Sequence, residues 1–235
     1  HAVIAEAFST KVITPGVTTT EDVAWHIRAR FEAMGLPVWF QPDVNLQRAG
    51  DDCRADSTFC GGPGVIEAGD VLHTDVGACY LGLCTDTQEM GYVARPGETR
   101  PPAGLRQALA TGNRWQDLLL ANFAEGRTGA EVLARTRADA AAEAIASSTY
   151  THPLGVFGHA PGPTIGMWDD QSGTTPGSDW PLHPRTAYAI EGNVRVPVPE
   201  WGGQHVQVKL EQGGYFDGEK LSYPAGRQTQ WHVVR

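Results

Sequence analysis

The chain predicts an α/β (α+β) domain, on three observations. Strand-like runs lie at Val71–Val93, Thr186–Val198 and Val206–Leu210, with a shorter one near Gln230–Val234. Capped amphipathic helices lie ahead of them: one with Val23, Ile27, Phe31 and Met34 on a single face, and two more at about 103–124 and 130–147. Finally, VITPGVTTTEDVAWHI and FAEGRTGAEVLART share a loop, a glycine, a threonine cap, an acidic residue and an apolar face. That is a weak internal repeat of the kind a pseudo-two-fold domain leaves behind.

Each element has a local reason. Residues 2–13 read as the end of a helix that Pro15-Gly16 stops. Thr18, Thr19 or Thr20 caps the next helix, with Glu21 and Asp22 in its first turn, where carboxylates complement the helix dipole. Gly35 ends it, and Val38–Leu46 reads as a strand interrupted by Pro42. Gln47–Gly64 is a long loop rich in Asp, Gly and Cys, long enough to mark it as functional or mobile. Gly126 breaks the helical pattern after 103–124, and Thr128 caps the following helix. Tyr150–Trp168 is a loop of glycines and prolines holding two histidines. No linker or low-complexity segment divides the chain, so residues 1–235 are read as one domain.

Composition narrows the partners. A net charge of −9 argues against nucleic acid or an anionic membrane, since both need basic patches. No apolar stretch approaches the roughly 20 residues of a membrane span. The sequence begins HAVIAEAF, in mid-helix, without an initiator Met or a signal peptide, and so reads as a fragment or a processed chain. Cys53, Cys60, Cys79 and Cys84 are too few for a disulfide scaffold, and none forms a C-x-x-C zinc pair. Cys53 and Cys60 flank a Gly-rich loop; they either pair, which favours a secreted or periplasmic setting, or stay reduced, as in the cytoplasm.

The chemistry centres on VLHTDVGACYLGLCTDTQ, residues 71–88. Asp75 and Asp86 sit there in an otherwise apolar run. A buried carboxylate is costly unless it is paired or holds a metal, and two on adjacent strands repel each other. Taken alone, the pair reads first as turn caps or solvent-facing residues. The order Asp75, Asp86, His152, Glu191, Glu211, each in or beside a strand, changes that balance. Four carboxylates and an imidazole suit Mn, Co, Zn or Fe rather than a thiolate-seeking metal, and they suffice to bridge two ions.

The chain resembles the catalytic domain of the pita-bread metallopeptidases: methionine aminopeptidase, aminopeptidase P, prolidase and creatinase. GDVLHTDVGACYLGLCTDTQ is similar to that family's G-D-x₄-D-x-G-x₈-D hairpin, with the same spacing of eleven from Asp75 to Asp86. HPLGVFGH resembles its H-x-x-G-x-x-x-H segment, AYAIEGNV its I-E-P-G strand with Gly192 in place of proline, and QVKLEQ its R-[IV]-E-D strand. ITPGVTTTEDVA resembles its P-G-x-T-E-x-E helix start.

The resemblance implies a pseudo-two-fold curved antiparallel sheet covered by helices, with a dinuclear metal site in its central cleft. It implies two divalent metal ions (Mn, Zn, Co or Fe): Asp75 on one, Asp86 and Glu211 bridging, His152 and Glu191 on the other. Glu191 takes a proton from the bridging water, and His159 meets the substrate carbonyl. A second registration uses His159 as the ligand. His73 has the strand parity of Asp75 and is placed behind the ligands; His26 is read as a surface residue. The implied reaction is hydrolysis of an amide near the N-terminus of a small peptide, of Xaa-Pro aminopeptidase or dipeptidase type, with a homodimer left open.

Two departures qualify this. The family's further histidine, 17–21 residues before the first aspartate, falls here on Arg54–Thr58, R-A-D-S-T, where Asp56 is the one acidic substitute. The amino-terminal domain of prolidase and aminopeptidase P has no counterpart in these 235 residues. A non-peptidase C–N hydrolase or lyase on the same fold therefore stands as an alternative, and an inactive peptide-binding module as a second.

Overall fold

A computed structural model describes residues 1–235. In chain order the helices and strands are α1 (Ala2–Ala7), α2 (Thr20–Ala33), β1 (Asp43–Gln47), β2 (Val71–Val76), β3 (Cys79–Tyr80), β4 (Leu83–Cys84) and β5 (Thr87–Val93). They continue with α3 (Ala103–Ala121), α4 (Gly129–Ala142), β6 (Ser147–Thr149), β7 (His152–Leu154), β8 (Thr186–Pro197), β9 (His205–Phe216), β10 (Leu221–Ser222) and β11 (His232–Val234). Nine strands form one sheet in the order β1-β2-β5-β9-β8-β6, with β7 also on β8, β10 on β9, and β11 parallel to β5. All other pairs in it are antiparallel. No helix is long and apolar enough to cross a membrane.

The repeat is visible as two half-sheets, each with its own helices. Thr19 caps α2 and Thr128 caps α4, each in a full capping box, with Asp22 and Glu131 reaching back to the cap. Val3, Ile4 and Phe8 pack with Val23 and Ile27 of α2 against Val44, Leu72 and Val93. On the other half, Leu105, Leu109 and Trp115 of α3 pack with Val132 and Leu133 of α4 against Val194, Val208 and Leu210. Each strand's alternate residues therefore face away from the helices, and that opposite face carries Asp75, Glu191 and Glu211.

Several boundaries differ from expectation for physical reasons. Helix α1 ends at Ala7, and Phe8 and Ile13 instead turn inward as buried anchors. Met34 is 55% exposed, so the apolar face of α2 stops one turn early. The expected strand from Val38 begins only at Asp43, after Pro42, and Trp39 and Phe40 line a cleft instead. Helix α4 stops at Ala142, because Ala144 takes a left-handed backbone (φ 54°), and Ser147 already belongs to β6. Strand β9 runs six residues further than expected, to Phe216, along the full length of β8.

The cysteines form two disulfides. Cys53–Cys60, one of the two readings above, staples the long loop. Cys79–Cys84, not anticipated, closes the small β3–β4 hairpin inserted between β2 and β5. Reduced thiols are therefore replaced by two crosslinks, and no free cysteine remains.

Candidate metal centre

Sheet register builds the site. Asp43 lies opposite Asp75, Asp75 opposite Gln88, Gln88 opposite Glu211, and Glu211 opposite Glu191. One row of acidic and amide side chains thus crosses four strand boundaries on one face. Asp86 enters just before β5, two residues ahead of Gln88. His152 on β7 pairs with Ala189, two residues before Glu191 on β8. Sequence separations of up to 168 residues collapse into one cluster this way (Asp43 to Glu211).

His152 Nε2 lies 3.6 Å from Asp86 Oδ2 and 3.9 Å from both Glu191 Oε2 and Glu211 Oε1. Three overlapping groups keep their candidate donor atoms within 4.8 Å of one another: Asp75, Asp86 and Glu211; His152, Glu191 and Glu211; and Asp86, His152 and His159. The cluster is deeply buried, with Asp86 4%, His152 3% and Glu211 1% exposed. Burial raises the pKa of all four carboxyls, and neighbouring carboxylates raise it further: Asp75 to about 7, with Asp43 beside it, and Asp86 to about 10, beside Asp75 and Glu191. Glu191 and Glu211 are pushed well above the ordinary range by the same two causes.

These features test whether a cation suits the residues present. Asp75 Oδ1, Asp86 Oδ1, Glu211 Oε1 and His152 Nε2 are buried without a hydrogen-bond partner. Native interiors rarely leave so many polar atoms unmet in one place. His152 Nδ1 donates to the Pro153 carbonyl at 3.2 Å, which leaves Nε2 as a bare acceptor facing the carboxylates. Burial lowers the His152 pKa to about 4, so the ring stays neutral and its Nε2 lone pair is free. Acceptors from three sides with no donor among them fit divalent ions.

Gln88 orders this arrangement and was not singled out from the sequence. Its amide NH₂ donates to Glu191 Oε1 at 2.7 Å and to Glu211 Oε2 at 2.9 Å. Its Oε1 accepts from His73 Nε2 at 2.8 Å. Once ionised, as a bound metal would make them, these carboxylates only accept, so the amide presents its NH₂ to them and its Oε1 to His73 Nε2, which then carries the proton. His73 thus reaches the cluster through Gln88, consistent with its strand parity.

His159 lies at the mouth, its ring centroid 4.5 Å from that of His152 and 5.1 Å from that of Trp39. Its Nε2 is 3.5 Å from Tyr150 Oη. Both histidines of the H-x₆-H pair therefore reach the centre, one buried and one exposed. Asp56 is exposed and does not line the cleft; Phe59, from the disulfide-closed loop, does. His26 faces Glu6 at 3.4 Å, away from the site. The cleft encloses about 630 Å³, with Trp39, Phe40, Phe59 and Trp168 on its walls. Asp43, Gln88, Tyr150 and Lys209 also line it. The parity of Gln88 with Asp86 and of Lys209 with Glu211 was the available sequence signal for two of these.

Known proteins bear on this geometry. The description of metallopeptidase family M24 matches residues 1–212, and the chain belongs to that family. The chain is 30% identical over 144 residues to the uncharacterized peptidase YqhT of Bacillus subtilis, covering 61% of this chain and 36% of that protein. Its fold is similar to the X-Pro aminopeptidase of Thermotoga maritima (TM-score 0.73, 17% identity, 99% of this chain and 59% of that one). It is also similar to methionine aminopeptidase of the same organism (TM-score 0.64, 18% identity, 94% of this chain and 91% of that one). The architecture is thus the pita-bread fold. The chain spans about a third of the curated relative and well over half of the aminopeptidase.

Proposed function

We propose that residues 1–235 form one catalytic domain that hydrolyses an amide bond near the N-terminus of a small peptide, with two divalent metal ions (Mn, Zn, Co or Fe). The observation that carries this reading is the row of buried, mutually repelling carboxylates beside the bare Nε2 of His152. Asp75, Asp86 and Glu211 would hold one ion, and His152, Glu191 and Glu211 the other, with Asp86 reaching both. When bound, such a pair acidifies a shared water and makes it a nucleophile at neutral pH.

The protein's own groups supply the remaining chemistry. Glu191 is the least enclosed of the ligand carboxylates that touch His152, at 18% side-chain exposure, and accepts the proton of the attacking water. His159, at the exposed end of the cluster, donates to the carbonyl oxygen as charge develops on it. Tyr150 Oη, beside His159, orients that ring. Trp39 and Trp168 wall the space a short peptide would fill. The X-Pro aminopeptidase among the fold relatives supports an Xaa-Pro substrate, as an aminopeptidase or dipeptidase.

One observation favours a second reading, a C–N hydrolase or lyase on a non-peptide substrate. The Gln47–Gly64 loop has no histidine to offer the cleft; Phe59 stands there. A silent binding module fits less well, since five ligand-type side chains are kept in register. Incubating metal-depleted protein with Mn²⁺ or Co²⁺ and assaying Xaa-Pro dipeptides, Xaa-Pro-Yaa peptides and Met-peptides separates these readings. Metal-dependent release of the N-terminal residue, lost in Asp86→Ala, is expected. Bound metal with no cleavage of any peptide moves the assignment to the second reading.

A further inference from the structure

Lys209 is the one lysine or arginine lining the cleft, against five carboxylates: Asp43, Asp75, Asp86, Glu191 and Glu211. It lies on β9 two residues before Glu211, on the same face, directly opposite Asn193 of β8. The residue is only 9% exposed. Yet its ammonium makes no ion pair within 4.0 Å and no hydrogen bond; the Phe59 ring lies 5.6 Å away, and Asp43, Asp75 and Glu191 act on it only through space. The stem is buried while the ammonium opens into the cleft without a direct partner, so it is free to pair with an anion that arrives there.

Charge balance says what arrives. Two divalent ions would neutralise Asp75, Asp86, Glu191 and Glu211, leaving Asp43 and Lys209 as the fixed charges of the cleft. Asp43 is exposed and accepts from Asn45 Nδ2 at 2.9 Å rather than from Lys209. The Oδ1 atoms of Asn45 and Asn193, both lining the cleft, are buried without a donor. One cation beside two free amide oxygens matches a carboxylate attached to peptide N–H groups. A phosphate would need more donors than one ammonium and an aromatic face provide.

Building on the peptide-hydrolase reading, we infer that Lys209 is a specificity residue that receives a carboxylate of the substrate. The carboxylate belongs either to the free C-terminus of a dipeptide or to an acidic N-terminal side chain, and two peptide pairs separate these sources. Ala-Pro against Ala-Pro-amide reads the first; Glu-Pro-amide against Gln-Pro-amide reads the second. Binding to Mn²⁺-loaded protein is followed by the fluorescence of Trp39 and Trp168, and kcat/KM is taken wherever cleavage occurs.

In at least one pair the carboxylate-bearing member is expected to bind about ten- to a hundred-fold tighter. Lys209→Met brings that ratio to about one, and Lys209→Arg restores it. Metal content of each variant reports that the fold and centre are intact, and the arginine variant carries the comparison if methionine disturbs them. Absence of a preference in the unsubstituted protein, or its persistence in Lys209→Met, overturns the inference. Because binding is read without turnover, a Lys209-dependent preference without cleavage refutes only the peptidase reading. Cleavage without any preference refutes only this one.

Discussion

Gln88 holds Glu191 and Glu211 with its two amide hydrogens and His73 with its carbonyl, so one side chain sets the positions of three. Gln88→Met keeps the volume but removes both donors and leaves His73 Nε2 unmet. Outer partners of this kind commonly contribute ten- to a hundred-fold in metal affinity, and a loss of about that size is expected by calorimetric titration with Mn²⁺. In the proposed reading His159 acts on the substrate and does not hold metal. His159→Ala should lower kcat by about a hundred-fold or more while metal content stays at the unsubstituted level. Loss of metal in that variant would assign the third cluster, Asp86, His152 and His159, as the true site. At this scale the sequence was legible where chemistry is rare. Asp75, Asp86 and Glu211 were singled out by their order and by the motifs around them; a glutamine or lysine beside them was not. Gln88 and Lys209 become visible only when the register lays them beside Glu211.

The elements explain why the row is straight. Strands β8 and β9 pair over their whole twelve-residue lengths, which fixes Glu191 opposite Glu211. Gly192 lets α3 close on the back of β8, since a Cβ there would meet Trp115 and the Ser148 carbonyl. That contact accounts for glycine at this position. Gly192→Ala should therefore destabilise the fold by roughly 1–3 kcal/mol in chemical denaturation, through overpacking. Thr128→Ala removes the cap of α4 and should cost about 1 kcal/mol by the same measurement, without touching metal affinity. Helices with caps and a 3.6-residue apolar period were readable from local signals. The β3–β4 hairpin and its Cys79–Cys84 bond were not, because a two-residue strand has no period to detect. Asp43–Gln47 was only partly readable, as Pro42 delays a strand that the apolar residues before it advertise.

Across the whole molecule, the pseudo-two-fold plan brings two half-sheets together at β5 and β9, where Gln88 meets Glu211. Each half supplies carboxylates, so the metal-free fold carries their repulsion. The weak internal repeat in the sequence hinted at this plan, but not at the junction, which depends on pairing between residues far apart in the chain. The consequence for stability has a definite sign. Asp75 and Asp86 have folded pKa values of about 7 and about 10, above the unfolded carboxyl value of about 4. Between those limits the folded state binds more protons than the unfolded one, so metal-free stability falls as pH rises from about 4. Metal binding removes that penalty. The difference in Tm between Mn²⁺-loaded and metal-free protein should widen steadily from pH 5 to pH 8, as thermal scans at fixed ionic strength would show. A constant difference would mean that these carboxylates do not carry the metal.

The central claim is that the buried row is a two-metal centre, and a crystal grown with Mn²⁺ tests it most directly through anomalous diffraction. The account predicts two peaks about 3.5–4 Å apart. One would lie among Asp75, Asp86 and Glu211, the other among His152, Glu191 and Glu211, with His159 outside bonding distance of both. A single peak, or one bonded to His159 in place of His152, would contradict it.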